Sequence, residues 1–141
     1  MGIPETLLEV RETNKEGYSP VIDYCTWRVA VLNFNDDLLP ENITAMQRHN
    51  ETDEVFVLLR GHCILFVGDG DDENVTNIFA KNMQPLKIYN VKKSTWHAHT
   101  LDRDAMVLVV ENRDTTFGNS PFSPLSGRQK QMIASLTREL W

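Results

Sequence analysis

Cysteine, clustered basic charge and long apolar runs are all scarce in this sequence, and each shortage closes off a class of protein. Only two cysteines, Cys25 and Cys63, occur among 141 residues, both in apolar stretches and not as a Cys-x-x-Cys pair. They read as reduced core residues of a cytoplasmic protein, not as a disulfide or zinc framework. The 14 Lys and Arg are scattered, with no run longer than Lys92-Lys93, and 20 Asp and Glu bring the net charge to −6. That balance speaks against nucleic acid and anionic membrane surfaces as partners. No stretch approaches the roughly 20 apolar residues of a membrane-spanning helix. The N-terminus lacks the basic segment and apolar run of a secretory signal. A Gly-x-Ser-x-Gly elbow, a Walker A loop and a dinucleotide fingerprint are all missing, and neither cysteine has a base beside it. Nucleophilic catalysis is therefore unsupported.

What is present is a series of short, evenly spaced strand-like segments. Leu7 to Glu12 fits a strand or a short helix, with strand preferred, Gly17 to Pro20 reads as a turn, and Tyr24 to Phe34 as one long strand. A loop from Asn35 past Pro40 follows, then strands over Ile43 to His49, Glu54 to Arg60 and His62 to Val67. Gly68 to Asp72 reads as a hairpin turn, and Val75 to Phe79, Leu86 to Val91, Trp96 to Leu101 and Ala105 to Glu111 complete the series. Such spacing, broken by Gly, Asp, Asn and Pro, predicts an all-β sandwich or closed barrel. The tail differs. Ser126-x-x-Gln129 has the form of a capping box, and Met132, Ile133, Leu136 and Leu140 recur at helical spacing. One amphipathic helix over about residues 126–140, lying on the β body, is expected. With no repeat and no second domain, residues 1–141 read as a single domain, the barrel covering about 21–112.

The strand from Glu54 carries a further expectation. Val55, Val57 and Leu59 share one face; Glu54, Phe56, Leu58 and Arg60 share the other. Both faces are largely apolar, so a second sheet, the helix or another subunit must cover each. A homodimer is expected, since one helix of about four turns covers little surface.

Histidine is scarce as well, and three of the four fall in two tight groups. In the first, Gln47 and His49 lie two apart on one strand face, and Glu54 opens the next strand, which is expected to pair antiparallel with the first across a tight turn and so to set Glu54 near His49 on the same sheet. In the second, His97 and His99 share a face of their strand. Two imidazoles and one carboxylate on rigid strands suit a divalent transition metal (Fe, Mn, Ni or Zn) better than Ca or Mg, and leave positions open for a ligand. His62 pairs with neither group and reads as structural or exposed. Asp69, Asp71, Asp72 and Glu73 do not form a calcium loop. The Gly and Glu an EF-hand needs at its sixth and twelfth positions are Asn74 and Ala80. Trp96, Tyr89 and Phe56 are expected in the core.

The spacing His49, four residues, Glu54, six residues, Gly61 resembles the first motif of the cupin superfamily. Val91 to His97 resembles the turn and strand of its second motif. The two motifs and the hairpin between them span roughly half of the 141 residues. The resemblance implies an all-β cupin double-stranded β-helix, a jelly-roll barrel, with a short C-terminal helix and a site inside. It also implies that His49, Glu54 and His97 are metal ligands. Gln47 stands where the family has a further His, and Lys92 and Ser94 stand where it has the Pro and Gly of the turn. Gln47 is then a weak ligand or a ligand contact, and His99 is a fourth ligand or an acid–base group.

Two classes of function fit this pattern. One is a metal-dependent enzyme acting on a small oxygen-rich metabolite, with isomerase- or oxygenase-like chemistry. The other is a binding or sensing module for a small, sugar-like molecule, with or without metal. In the second, His49, Glu54 and His97 form only a polar network.

Overall fold

The computed structural model describes all of residues 1–141. Strand β1 (Gly17–Tyr24) turns into β2 (Trp27–Asn33), and β3 (Ala45–Gln47) follows two single turns of 3₁₀ helix. Strands β4 (Glu54–Arg60), β5 (Cys63–Gly70), β6 (Val75–Asn82), β7 (Ile88–Val91), β8 (Trp96–Leu101), β9 (Met106–Asn112) and β10 (Phe122–Pro124) precede helix α1 (Gly127–Leu140). They form two antiparallel five-stranded sheets, ordered β1-β2-β9-β4-β7 and β10-β3-β8-β5-β6. The sheets face each other as a jelly-roll sandwich.

Alternation along the strands places the core. On β4 the inward residues are Glu54, Phe56 and Leu58; on β9 they are Val107, Val109 and Glu111. Phe56, Leu58, Val107 and Val109 join Ala30, Leu65 and Leu101 to fill the space between the sheets. A second cluster, including Ile64, Phe66, Trp96 and Ile133, seals the outside of the second sheet under α1. The helix is capped as expected: the Ser126 hydroxyl accepts from the Gln129 amide, and the Gln129 side chain accepts from Ser126 N–H. No helix is long and apolar enough to cross a membrane.

The structure corrects several expectations. Leu7 to Glu12 is not a strand; Leu7, Leu8 and Val10 are exposed and pair with nothing. Gly17 to Pro20 is strand, not turn, because it pairs with Ala30 to Asn33. The Tyr24 to Phe34 run is split by a two-residue turn at Cys25 and Thr26, where Cys25 takes the left-handed conformation (φ 48°). A run rich in β-formers hid that turn, since no Gly, Asn or Asp marks it. Cys25 is consequently exposed, whereas Cys63 is in the core. Strand β5 runs on through Gly70, so the turn sits at Asp71 to Asn74, where Asp71 Oδ1 accepts from the Glu73 and Asn74 amides. Only Ala45 to Gln47 of the Ile43 to His49 segment is regular strand. Phe56 and Trp96 are buried core residues and Tyr89 packs against the core, while His62 is exposed and pairs with Asp102 at 2.8 Å.

Candidate metal centre and cavity

His49, Glu54 and His97 meet at one end of the barrel, all three buried, with their ligand atoms within 4.8 Å of one another. Register explains the meeting. Gln47 on β3 pairs with His97 on β8, and His49 follows Gln47 on the same side. Glu54 opens β4 in the opposite sheet and faces both rings. Glu54 Oε1 lies 3.2 Å from His49 Nε2 and 3.1 Å from His97 Nε2.

The outer nitrogens of both rings have partners that fix where the hydrogens sit. His97 Nδ1 lies 3.0 Å from the Thr95 carbonyl, which can only accept, so the hydrogen is on Nδ1. His49 Nδ1 lies 2.7 Å from Ser120 Oγ. That hydroxyl donates to Asn119 Oδ1 at 3.0 Å. The Asn119 amide is oriented in turn, its Nδ2 donating to the Asp114 carbonyl and its Oδ1 accepting the Thr116 N–H. Ser120 Oγ therefore accepts from His49 Nδ1. With the outer nitrogens donating outward, both Nε2 atoms face the Glu54 oxygen, where each offers a lone pair to a metal or, when it carries a proton, donates it to the carboxylate. Two imidazole nitrogens and a carboxylate oxygen aimed at one point call for a cation between them, a proton or a metal ion. Partners that set the tautomer of metal-binding imidazoles have this form. The residues present thus fit a divalent metal.

Gln47 donates its side-chain N–H to the Ser120 carbonyl at 3.1 Å, leaving its oxygen without a partner on the cavity wall. His99 stands apart from the cluster, its ring centroid 6.1 Å from that of His97. It is buried edge-on against Phe56, and its Nε2 has no hydrogen-bond partner. Burial, with a smaller effect from His97, lowers its pKa to about 3, so it is a neutral ring. A neutral, desolvated ring can hydrogen-bond a ligand but does not serve as an acid near pH 7. The turn before His97 holds Ser94 in the left-handed region (φ 64°), where the motif resemblance has Gly; its N–H donates to the His49 carbonyl at 2.8 Å. The altered turn still ties the two halves of the site together.

Three inward residues were not anticipated from the sequence: Glu111, Tyr18 and Arg28. Asp23 pairs with Arg28, Arg28 with Glu111, and Val55 with Val110, which sets Glu54 beside Glu111. One charged row, Asp23–Arg28–Glu111–Glu54, therefore crosses the first sheet and ends at the histidines. Burial pushes Glu111 up to about 8, and the facing Glu54 adds to this, while the Tyr18 hydroxyl and Arg28 only partly offset it. Glu54 moves the other way. Burial would raise it, but His49, His97 and the Glu111 carboxyl hold it well below the ordinary carboxylate range. The pair keeps one proton, on Glu111. The signal for Glu111 was in its strand, where it continues the inward face of Val107 and Val109.

These residues line a cavity of about 750 Å³. The loop between β9 and β10 adds Thr115, Thr116, Phe117 and Ser120 to its wall. The size suits a small-molecule ligand.

No family model matches the sequence, and no curated protein sequence does. Solved structures do match. An uncharacterized conserved protein with a double-stranded β-helix domain from Klebsiella pneumoniae is 16% identical, over 82% of this chain and 86% of that one, with a TM-score of 0.54. A cupin-2 domain protein from Shewanella frigidimarina is 16% identical, over 70% and 84%, with a TM-score of 0.51. The fold is that of the cupins. The nucleoside dehydratase Pac13 of Streptomyces shares it at 11% identity, over 80% and 83%, with a TM-score of 0.53. At these identities the likeness speaks for the barrel alone. Within this cupin barrel, the His49–Glu54–His97 cluster stands on its own geometry.

Proposed function

We propose that the chain is a single-domain cytoplasmic cupin that binds a divalent transition metal through His49, Glu54 and His97, with Gln47 beside them, and acts on a small oxygen-rich metabolite. The observation that carries this reading is the convergence of two oriented imidazole Nε2 atoms and one carboxylate oxygen within 4.8 Å of one another. A bound metal would supply Lewis-acid polarisation of a ligand oxygen. Glu111 lines the cavity beside Glu54 and gives a second carboxyl through which a proton can pass to or from a ligand, which supports chemistry of the isomerase kind over oxygenase chemistry. Tyr18 donates its hydroxyl to Glu111 and holds it in place. His99 offers its unpaired ring nitrogen to the ligand.

The second reading, a binding module without metal, is favoured by one residue. Gln47 stands where the motif resemblance has an imidazole, and an amide oxygen is the weaker donor to a borderline metal. Titration with Ni(II), Co(II) and Zn(II) tests both readings. Gln47→His is expected to tighten binding at least about tenfold, or roughly 1.4 kcal/mol. His99→Ala is expected to leave it unchanged. If Gln47→His has no effect while His99→Ala abolishes binding, His99 is the fourth ligand and Gln47 only a ligand contact.

We also propose that the protein is a homodimer. Helix α1 covers the second sheet, whereas on the outer face of the first the N-terminal segment covers only the end of β2, where Asn33 donates to the Thr13 and Lys15 carbonyls. Val55, Val57, Leu108 and Val110 are half-exposed there, and Ile88, Trp27 and Leu59 are 76%, 43% and 40% exposed. An apolar β face of this kind is what a second copy would bury. Light scattering at micromolar concentration is expected to give twice the 16.2 kDa chain mass; a monomer would overturn the assignment.

A further inference from the structure

Arg28 is the only cationic side chain on the cavity wall. Cross-strand pairing with Glu111 puts it on the inner face of the first sheet, and its side chain is 19% exposed. Its Nε donates to Asp23 Oδ1 at 3.1 Å and the Tyr18 hydroxyl is a second partner of the guanidinium, which leaves three of its five N–H groups for a ligand. The Glu111 Oε1 oxygen is 3.9 Å from Nη1, beyond hydrogen-bond reach, and it already accepts the Tyr18 hydroxyl. A guanidinium with free N–H groups opening on a sheltered cavity suits a carboxylate, which it can grip through parallel hydrogen bonds.

We propose that Arg28 anchors the carboxylate of a small hydroxy- or oxo-acid whose other oxygens reach the His49–Glu54–His97 cluster. Arg28 sits two strands from Glu54 in the same row, about 10 Å between backbones at the usual strand spacing. Reaching side chains shorten that span, so a ligand of a few carbons bridges it, and Glu111 then lies along the ligand between its ends. The wall carries one cation, already paired with Asp23, beside the acidic Asp37, Glu54 and Glu111, so a singly charged carboxylate is tolerated there better than a doubly charged phosphate ester. The substrate class rests on the cavity being the ligand site proposed above, while the Arg28 subsite itself does not require the metal.

Calorimetric titration of the full chain tests this with three acids and their neutral counterparts: gluconate with sorbitol, galacturonate with galactose, and 4-hydroxybutyrate with 1,4-butanediol. Wild type, Arg28→Met, Arg28→Lys and Asp23→Asn are each measured metal-loaded and after chelation. At least one acid is expected to bind tenfold or more tightly than its counterpart. Arg28→Met is expected to erase that preference, Arg28→Lys to restore part of it, and Asp23→Asn to keep it. The proposal is overturned if no acid outbinds its counterpart, or if Arg28→Met binds the acid as wild type does. It also falls if Arg28→Met and Asp23→Asn lower the melting temperature equally and neither alters the preference, since Arg28 then only pins its hairpin. The outcomes separate from the metal reading. Acid preference lost on chelation but kept in Arg28→Met sinks the subsite alone. Preference lost in Arg28→Met, in a protein that binds no metal, sinks the metal reading alone.

Discussion

Glu54→Ala is expected to lose metal almost completely, by at least about 100-fold in affinity, or roughly 2.8 kcal/mol. Glu54 supplies the only anionic oxygen among the three converging groups. Without it, two neutral imidazoles must hold a dication inside a low-dielectric barrel, where an unpaired charge is most costly. Glu54→Gln keeps the size and the hydrogen-bonding oxygen but not the charge, and should lose nearly as much. Both variants are expected to remain folded, because the apolar layers of Phe56, Leu58, Val107 and Val109 lie behind the site and do not depend on it. Competition against a metal-responsive dye, with circular dichroism as the folding control, measures the effect. Near wild-type affinity in folded Glu54→Gln would mean that the metal is held elsewhere.

The second large effect is on pH-dependent stability. In the folded, chelated protein Glu111 keeps its proton up to about pH 8; in the unfolded chain it releases it near the ordinary glutamate value of 4.5. Between those values the folded state binds more protons than the unfolded one, so its stability falls as pH rises. The stability linked to Glu111 is complete below pH 4.5 and lost as pH passes 8. Each pH unit separating the two values is worth about 1.36 kcal/mol, so a loss on the order of a few kcal/mol is expected across the window. Glu54 contributes in the opposite sense. Its stabilisation is present above the ordinary carboxylate range and is lost as pH falls toward its depressed value. Glu111→Gln carries no proton in either state and should flatten the fall between pH 5 and 8. Urea unfolding at a series of pH values compares the two proteins. Parallel curves would mean that Glu54 and Glu111 do not share a proton.

The parts of this molecule that were legible in the sequence are those whose contacts are local. His49 and Glu54 are close along the chain, so their meeting was legible, but not its geometry: the two strands do not pair, and β3 and β4 face each other from opposite sheets. The Ser126–Gln129 box lies within one helical turn. Strand β4 showed its two apolar faces in its own residues, and the structure leaves one of them open. What was missed depends on partners far along the chain. Glu111 matters because β9 lies beside β4 and turns it toward Glu54. Ser120 and Asn119, which set the His49 tautomer, sit in an irregular loop with no periodicity to read. Tyr18 was placed in a turn because Gly17 and Pro20 punctuate its strand, yet Pro20 sits next to a bulge on an edge strand, where the ladder tolerates it. Leu7 to Glu12 looked like a strand by composition but found no neighbour to pair with. Strand β10 is only Phe122 to Pro124, too short and too close to prolines to announce itself.

Elemental analysis of protein purified without chelators or an affinity-metal column tests the central claim most directly. A divalent transition metal near one per chain is expected, with a rise in melting temperature when Mn(II), Fe(II), Ni(II), Co(II) or Zn(II) is restored to chelated protein. No metal in the purified protein, together with no thermal shift from any of the five, would contradict it.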